Sequence, residues 1–92
     1  MKKYIFLDRD GVINRSPKGE GGYATKVSEF IFYPKSRRAI KKLNDNGFKI
    51  IIISNQAGVA KGLYTKKTLD KITDKMKKGI AKSGGRIEAI YY

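Results

Sequence analysis

Apolar residues fall along this chain in two rhythms. The run Tyr4-Ile5-Phe6-Leu7 is rich in β-formers and stops abruptly at Asp8, and Lys49-Ile50-Ile51-Ile52-Ile53-Ser54 is a second run of the same kind. Continuous rather than alternating apolarity predicts strands buried on both faces, the mark of a parallel sheet covered by helices. Between them Ala39, Ile40 and Leu43 recur at helical spacing. They predict a helix over about 35–46, opened at Pro34 or Lys35 and ended by Asn46-Gly47 as a left-handed cap. Leu69, Ile72, Met76 and Ile80 repeat that spacing, predicting a second helix over about 65–83 with Thr65 as its N-cap and Gly84-Gly85 as its stop. Residues 87–92 return to a strand pattern. The predicted order is β, loop, α, β, loop, α, β: an α/β fold with about three strands and two helices of a Rossmann-like parallel sheet.

Two features of this layout bear on function. Residues 11–33 are too long for a plain connection and carry Gly19, Gly21 and Gly22; loops of this length are usually functional. They leave the first strand at its carboxyl end, the edge where open α/β sheets bind ligands, and are too short to fold as a separate cap domain. The last predicted strand has neither a following helix nor a neighbour beyond it, which leaves an apolar edge of the kind that domains normally protect. The expectation is that residues 1–92 are the N-terminal portion of a larger domain, since a chain of 92 residues has room for one core at most.

Composition removes whole classes of chemistry. There is no Cys, His or Trp, which excludes disulfides, Cys/His zinc sites, thiol redox motifs and His-dependent nucleophiles within these residues; any general acid or base must be a carboxylate. No apolar run approaches the ~20 residues of a spanning helix, and the start is too short for a signal sequence, so the expected setting is the cytoplasm, with no membrane partner. Lys and Arg number 21 against 8 Asp and Glu, a formal charge of +13. Such a charge draws anionic partners, phosphorylated metabolites and nucleic acid among them. The lysines at 66, 67, 71, 75, 77, 78 and 82 alternate with the apolar series of the second helix and have no aromatic stacking platform among them. They read as a solvated helix face rather than a nucleic-acid surface.

The chemistry concentrates where the strands end. Asp8-Arg9-Asp10-Gly11 sits directly after the first buried strand. Two carboxylates two residues apart, ~6–7 Å between Cα atoms at strand rise, can share one hard cation, and Mg2+ is the natural one because it needs only one or two protein carboxylates beside water and phosphate oxygens. Gly11 permits close approach of an anion, and its N–H is a candidate phosphate donor. Arg9 is expected to alternate away from both carboxylates and to be structural. The second strand ends in Ser54-Asn55-Gln56, where a hydroxyl and an amide can donate to a phosphoryl group; a turn cap for Ser54 and an Asx-turn for Asn55 are equally consistent with the local sequence.

Taken together, Phe6-Leu7-Asp8-Arg9-Asp10-Gly11-Val12-Ile13-Asn14, then Ser54-Asn55-Gln56-Ala57-Gly58-Val59-Ala60-Lys61-Gly62, then residues 87–92, resemble the haloacid dehalogenase superfamily. The closest resemblance is to its branch of D-glycero-D-manno-heptose bisphosphate phosphatases and histidinol phosphatases. The resemblance implies an Mg2+-dependent phosphatase working through an aspartyl-phosphate. Asp8 is then nucleophile and metal ligand, and Asp10 is general acid and base, offering its backbone carbonyl to the metal. Gly11, Ser54 and Asn55 bind the phosphoryl group, and Gln56 binds the substrate. Lys61 stands where the branch often has Arg and would hold a distal phosphate, or else is a solvated surface lysine. The family's third-motif Lys and fourth-motif Asp, and the zinc loop typical of the branch, would lie beyond Tyr92. The expected substrate is a small phosphorylated metabolite, heptose bisphosphate ahead of histidinol phosphate. Alternatives are a polynucleotide 3′-phosphatase and a non-catalytic module that binds a phosphorylated ligand or partner.

Overall fold

The computed structural model describes residues 3–15, 26–54, 61–62 and 64–92. Three parallel strands form one sheet in the order β1 (Lys3–Leu7), β2 (Phe48–Ile53), β3 (Ala89–Tyr91). Their register runs from Lys3 opposite Phe48 to Leu7 opposite Ile52, and from Ile51 opposite Ala89 to Ile53 opposite Tyr91. Each crossover carries one predicted helix: α1 (Ser36–Asp45) between β1 and β2, and α2 (Lys66–Lys82) between β2 and β3.

The helices begin and end where the sequence marks them. Thr65 Oγ1 accepts the N–H of Thr68 at 3.1 Å, which satisfies a donor that the first turn of α2 leaves orphaned. At the end of α1, Gly47 takes a φ of +87°, a left-handed conformation that costs glycine little. Asn44, near that end, ties α1 to the sheet: its amide donates to the Phe48 carbonyl at 3.0 Å and its oxygen accepts the Arg86 N–H at 2.8 Å. Along α2 the buried residues are Leu69, Ile72, Met76 and Ile80, the four that the spacing singles out. Burying each is worth ~1.5–3 kcal/mol. Repulsion among Lys67, Lys71 and Lys75 costs only ~0.2–0.5 kcal/mol per pair, so packing decides the helix. Ile40 is the buried residue of α1 and Leu43 is half-buried; Ala39, expected on the inner face, is exposed.

Ile40, Ile72, Met76 and Ile80 meet Ile50 and Ile52 of β2 in one core, closed by Ile13 and Phe30 from the connection between β1 and α1. That connection pairs with itself. Arg15 N–H donates to the Ile31 carbonyl at 2.8 Å and Tyr33 N–H to the Ile13 carbonyl at 3.1 Å, a short antiparallel ladder that brings Phe30 and Phe32 into an edge-to-face contact 5.0 Å between ring centres.

Both helices lie on one face of the sheet, and here the structure departs from the pattern-based expectation. Strands added in chain order by crossovers of the usual right hand place every crossover helix on the same side. Tyr4, Phe6 and Ile53 are therefore exposed on the other face, although each lies in a continuous apolar run. Among the described residues no helix is long and apolar enough to cross a membrane.

Gly79 marks the tightest contact between α2 and the antiparallel ladder. A Cβ there would stand 2.5 Å from Phe32 Cε2, and the Phe32 ring is hemmed in by Phe30 and by the Arg37 guanidinium 5.0 Å from its centre. Ala gains up to ~1 kcal/mol over Gly in a helix interior, but overpacking costs ~1–3 kcal/mol. Gly79→Ala is therefore expected to lower stability by ~1 kcal/mol in urea denaturation, and adding Phe32→Leu should return the helix-propensity gain. A Gly79→Ala chain more stable than the parent would contradict the contact.

Candidate active site

β1 delivers its last residue, Leu7, to the carboxyl edge, and Asp8 follows, exposed; among the described residues no cation is paired with it. The chain then folds back on one acceptor. The Arg9 carbonyl receives the N–H groups of Val12 at 3.2 Å, Ile13 at 2.8 Å and Asn14 at 3.2 Å. Gly11 makes the turn possible with a φ of +85°. Its N–H, expected as a phosphate donor, donates to the Asn14 carbonyl at 2.8 Å within the turn itself.

Asp10 is held at both oxygens. Oδ2 accepts Arg9 Nη2 at 3.1 Å and Oδ1 accepts Asn14 Nδ2 at 2.9 Å, while the same Asn14 amide also donates to the Arg15 carbonyl at 3.1 Å. Arg9 does not turn away from Asp10 as strict strand alternation predicts, because β1 has ended and the backbone bends at this point. Its guanidinium is fully buried, 6.0 Å from the Phe30 ring centre and 5.8 Å from that of Tyr92, and the Tyr92 hydroxyl is hydrogen-bonded to that of Thr73 on α2. Asn14, which the sequence reading leaves without a role, is the buried partner of Asp10; the only signal in the sequence is an amide four residues after Asp10, the reach of one tight turn.

Ser54 is the first residue past β2. It is buried, and its N–H donates to the Tyr91 carbonyl at 2.9 Å, which fixes it beside β3. Asp8 and Ser54 thus share the carboxyl edge of adjacent strands, since Leu7 pairs with Ile52. Lys61 is exposed in the turn ahead of α2. Asn55 and Gln56 lie outside the described residues. A shallow hollow of about 490 Å³ opens beside Gly11, lined by Val12, Tyr33, Pro34, Lys35 and Ser36.

Among the described residues no group of three Asp, Glu, His or Cys side chains comes together. The donors at this edge nevertheless fit a hard cation that keeps waters and takes few protein ligands. Asp8 presents an exposed carboxylate. Both Asp10 oxygens already accept from Arg9 and Asn14, so the backbone carbonyl suits Asp10 better as a ligand than its side chain does.

Comparison with known proteins places the chain in a family. Residues 3–91 match the model of the family described as polynucleotide kinase 3 phosphatase, and the chain belongs to that family. It is 40% identical over 90 residues to a D-glycero-alpha-D-manno-heptose-1,7-bisphosphate 7-phosphatase of Photorhabdus laumondii, covering 98% of this chain and 47% of the relative. The crystal structure of D,D-heptose 1,7-bisphosphate phosphatase from Bordetella bronchiseptica, complexed with magnesium and phosphate, superposes with a TM-score of 0.88 at 37% identity, covering 97% of this chain and 48% of that one. The Burkholderia thailandensis enzyme of the same name superposes with a TM-score of 0.75 at 38% identity, covering 99% and 52%. A HAD-like phosphatase of Mesorhizobium loti, 24% identical with a TM-score of 0.78 and covering 100% and 43%, shares the fold. The chain spans about half the length of the curated relatives it matches.

The two aspartates differ in what the fold asks of them. Asp8→Asn is expected to change stability by less than ~0.5 kcal/mol, as for an exposed polar substitution. Asp10→Asn and Asn14→Ala are each expected to cost ~1–3 kcal/mol, because each disturbs hydrogen bonds around a buried guanidinium. Urea midpoints measured on the three variants test this, and equal midpoints for the two aspartate variants would contradict it.

Proposed function

We propose that this chain carries the nucleophile-bearing part of a cytoplasmic, Mg2+-dependent phosphomonoester hydrolase acting on a heptose bisphosphate. The observation that carries the reading is the pairing, on one carboxyl edge, of an exposed Asp8 with an Asp10 clamped by Arg9 and Asn14. An exposed carboxylate is available to attack phosphorus; a clamped one is positioned to move a proton. The names and the bound magnesium and phosphate of the similar proteins support the same substrate class and cofactor.

In the proposed reaction an Asp8 carboxylate oxygen attacks the phosphorus of the substrate, and the bond to the sugar oxygen breaks as Asp10 gives its proton to the leaving alkoxide. Asp10 then takes a proton from water, whose oxygen attacks the aspartyl-phosphate, releasing inorganic phosphate and restoring Asp8. Mg2+, held by the Asp8 carboxylate and the Asp10 carbonyl, would neutralise phosphate charge so that one anion can approach another. Ser54 donates to the phosphoryl oxygens at the end of β2, with Asn55 and Gln56 after it, and Lys61 meets the second phosphate of the substrate. With no third carboxylate joining Asp8 and Asp10 among the described residues, metal binding is weak and turnover by these 92 residues alone is slow.

The family match favours a second reading, hydrolysis of a polynucleotide 3′-phosphate, which a charge of +13 would also suit. Phosphate release from D-glycero-D-manno-heptose 1,7-bisphosphate and from a 3′-phosphorylated oligonucleotide, measured side by side, decides between them. The expected result is slow, Mg2+-requiring release from the heptose, abolished by chelation and reduced to background by Asp8→Asn. Release untouched by Asp8→Asn would remove the nucleophile assignment, and faster, salt-sensitive release from the oligonucleotide would establish the second reading.

A further inference from the structure

Four lysines of α2 gather on one side of the helix. Lys71, Lys75, Lys78 and Lys82 follow one another at intervals of four, three and four residues, a stripe ~16 Å long on a single helix face. All four are exposed, and they line a groove of about 580 Å³. Arg37 of α1 lines the same groove, which holds one carboxylate, Asp74, against the five cations. Among the described residues none of the five is in an ion pair. Lys75 is held by a hydrogen bond to the Val27 carbonyl at 3.0 Å, which fixes the middle of the stripe. Like charges four residues apart weaken a helix, so the stripe does not serve α2 itself.

Charge alone calls for an anion, and the rest of the groove selects among anions. The sequence shows no aromatic platform among these lysines, but the fold brings one from a distant segment. Phe32, half-buried beside Gly79, lines the groove, and the Arg37 guanidinium lies over its ring, 5.0 Å from the centre. A basic groove that follows a phosphate backbone and an aromatic–guanidinium pair on which bases stack are the two parts of a sequence-tolerant single-strand site. An anionic membrane fits less well, because Leu69, Ile72, Met76 and Ile80 of α2 are buried and leave no large apolar side chain to enter a bilayer. An acidic peptide would meet the charge and leave the Phe32–Arg37 pair unused. We propose that this groove binds single-stranded nucleic acid, with phosphates along Lys71, Lys75, Lys78 and Lys82 and a base against Arg37 and Phe32. It shares no lining residue with the hollow beside Gly11 and includes none of Asp8, Asp10 and Ser54, so the inference rests on neither reading of the catalytic edge.

The test is fluorescence anisotropy of a labelled oligothymidylate titrated with the full 92-residue chain at several salt concentrations, with a chelator present to remove Mg2+. The expected result is binding whose logarithm falls against log salt with a slope of about −3, that of four phosphates on a single strand. Lys71→Glu with Lys78→Glu should weaken it at least ~10-fold, whereas Lys66→Glu with Lys77→Glu, an equal change of charge on the same helix outside the groove, should weaken it less than ~3-fold. Arg37→Lys, which keeps the charge and removes the planar group, should cost ~3-fold or more. Circular dichroism should show all of these chains folded like the parent. Equal losses from the two glutamate pairs would reduce the effect to bulk charge and overturn the proposal, as would indifference to Arg37→Lys. Binding that requires Mg2+ or is lost in Asp8→Asn would place the strand at the catalytic edge instead. Displacement of the oligonucleotide by polyglutamate at equal charge, or by phosphatidylglycerol vesicles, would assign the groove to an acidic protein or to a membrane and likewise overturn it.

Discussion

The hand of the crossover connections governs this molecule more than any single contact. Right-handed crossovers that add strands in chain order put α1 and α2 side by side on one face, and Ile40, Ile72, Met76 and Ile80 then meet Ile50 and Ile52 from that side. The same rule aims every strand in one direction, so the chain leaves β1 and β2 at a common edge. Asp8 and Ser54 come together because of topology, although more than forty residues separate them in sequence. The open apolar face is the other product of that rule.

Within this frame, the buried guanidinium of Arg9 joins the site to the core. Taking a charge out of water costs several kcal/mol, offset only when hydrogen bonds and an opposite charge surround it. Asp10 supplies the charge, while the rings of Phe30 and Tyr92 face the guanidinium from the antiparallel ladder and from the end of the β3 segment. Three parts of the chain thus converge on one side chain. The orientation of Asp10 is consequently a property of the whole packing rather than of a loop, which suits a group that must present its carboxyl in a fixed direction.

The elements were legible in the sequence because each carried a local signal: apolar runs for β1 and β2, helical spacing for α2, Thr65 and Gly47 at helix ends. The sequence also signalled that Asp8 and Ser54 would stand at the carboxyl edge, because each directly follows an abruptly ending apolar strand. What escaped was set by contacts between distant segments or by backbone bends. Arg9 reaches Asp10 only because the strand ends before it, the Gly11 N–H is spent on Asn14 within the turn, and Ala39 is exposed because α1 packs on Ile40 and Leu43. Continuous apolarity in β1 and β2 signalled burial on two sides, whereas the helices among the described residues cover one.

The contact of Gly79 with Phe32 reaches further than its few atoms suggest. It lets α2 lie against Phe32, which pairs with Asn14, and Asn14 in turn holds Asp10, so the helix is linked to the Asp10 clamp through two side chains. Positions 32 and 79 therefore share one volume: a methyl gained on the helix demands room from the ring on the ladder.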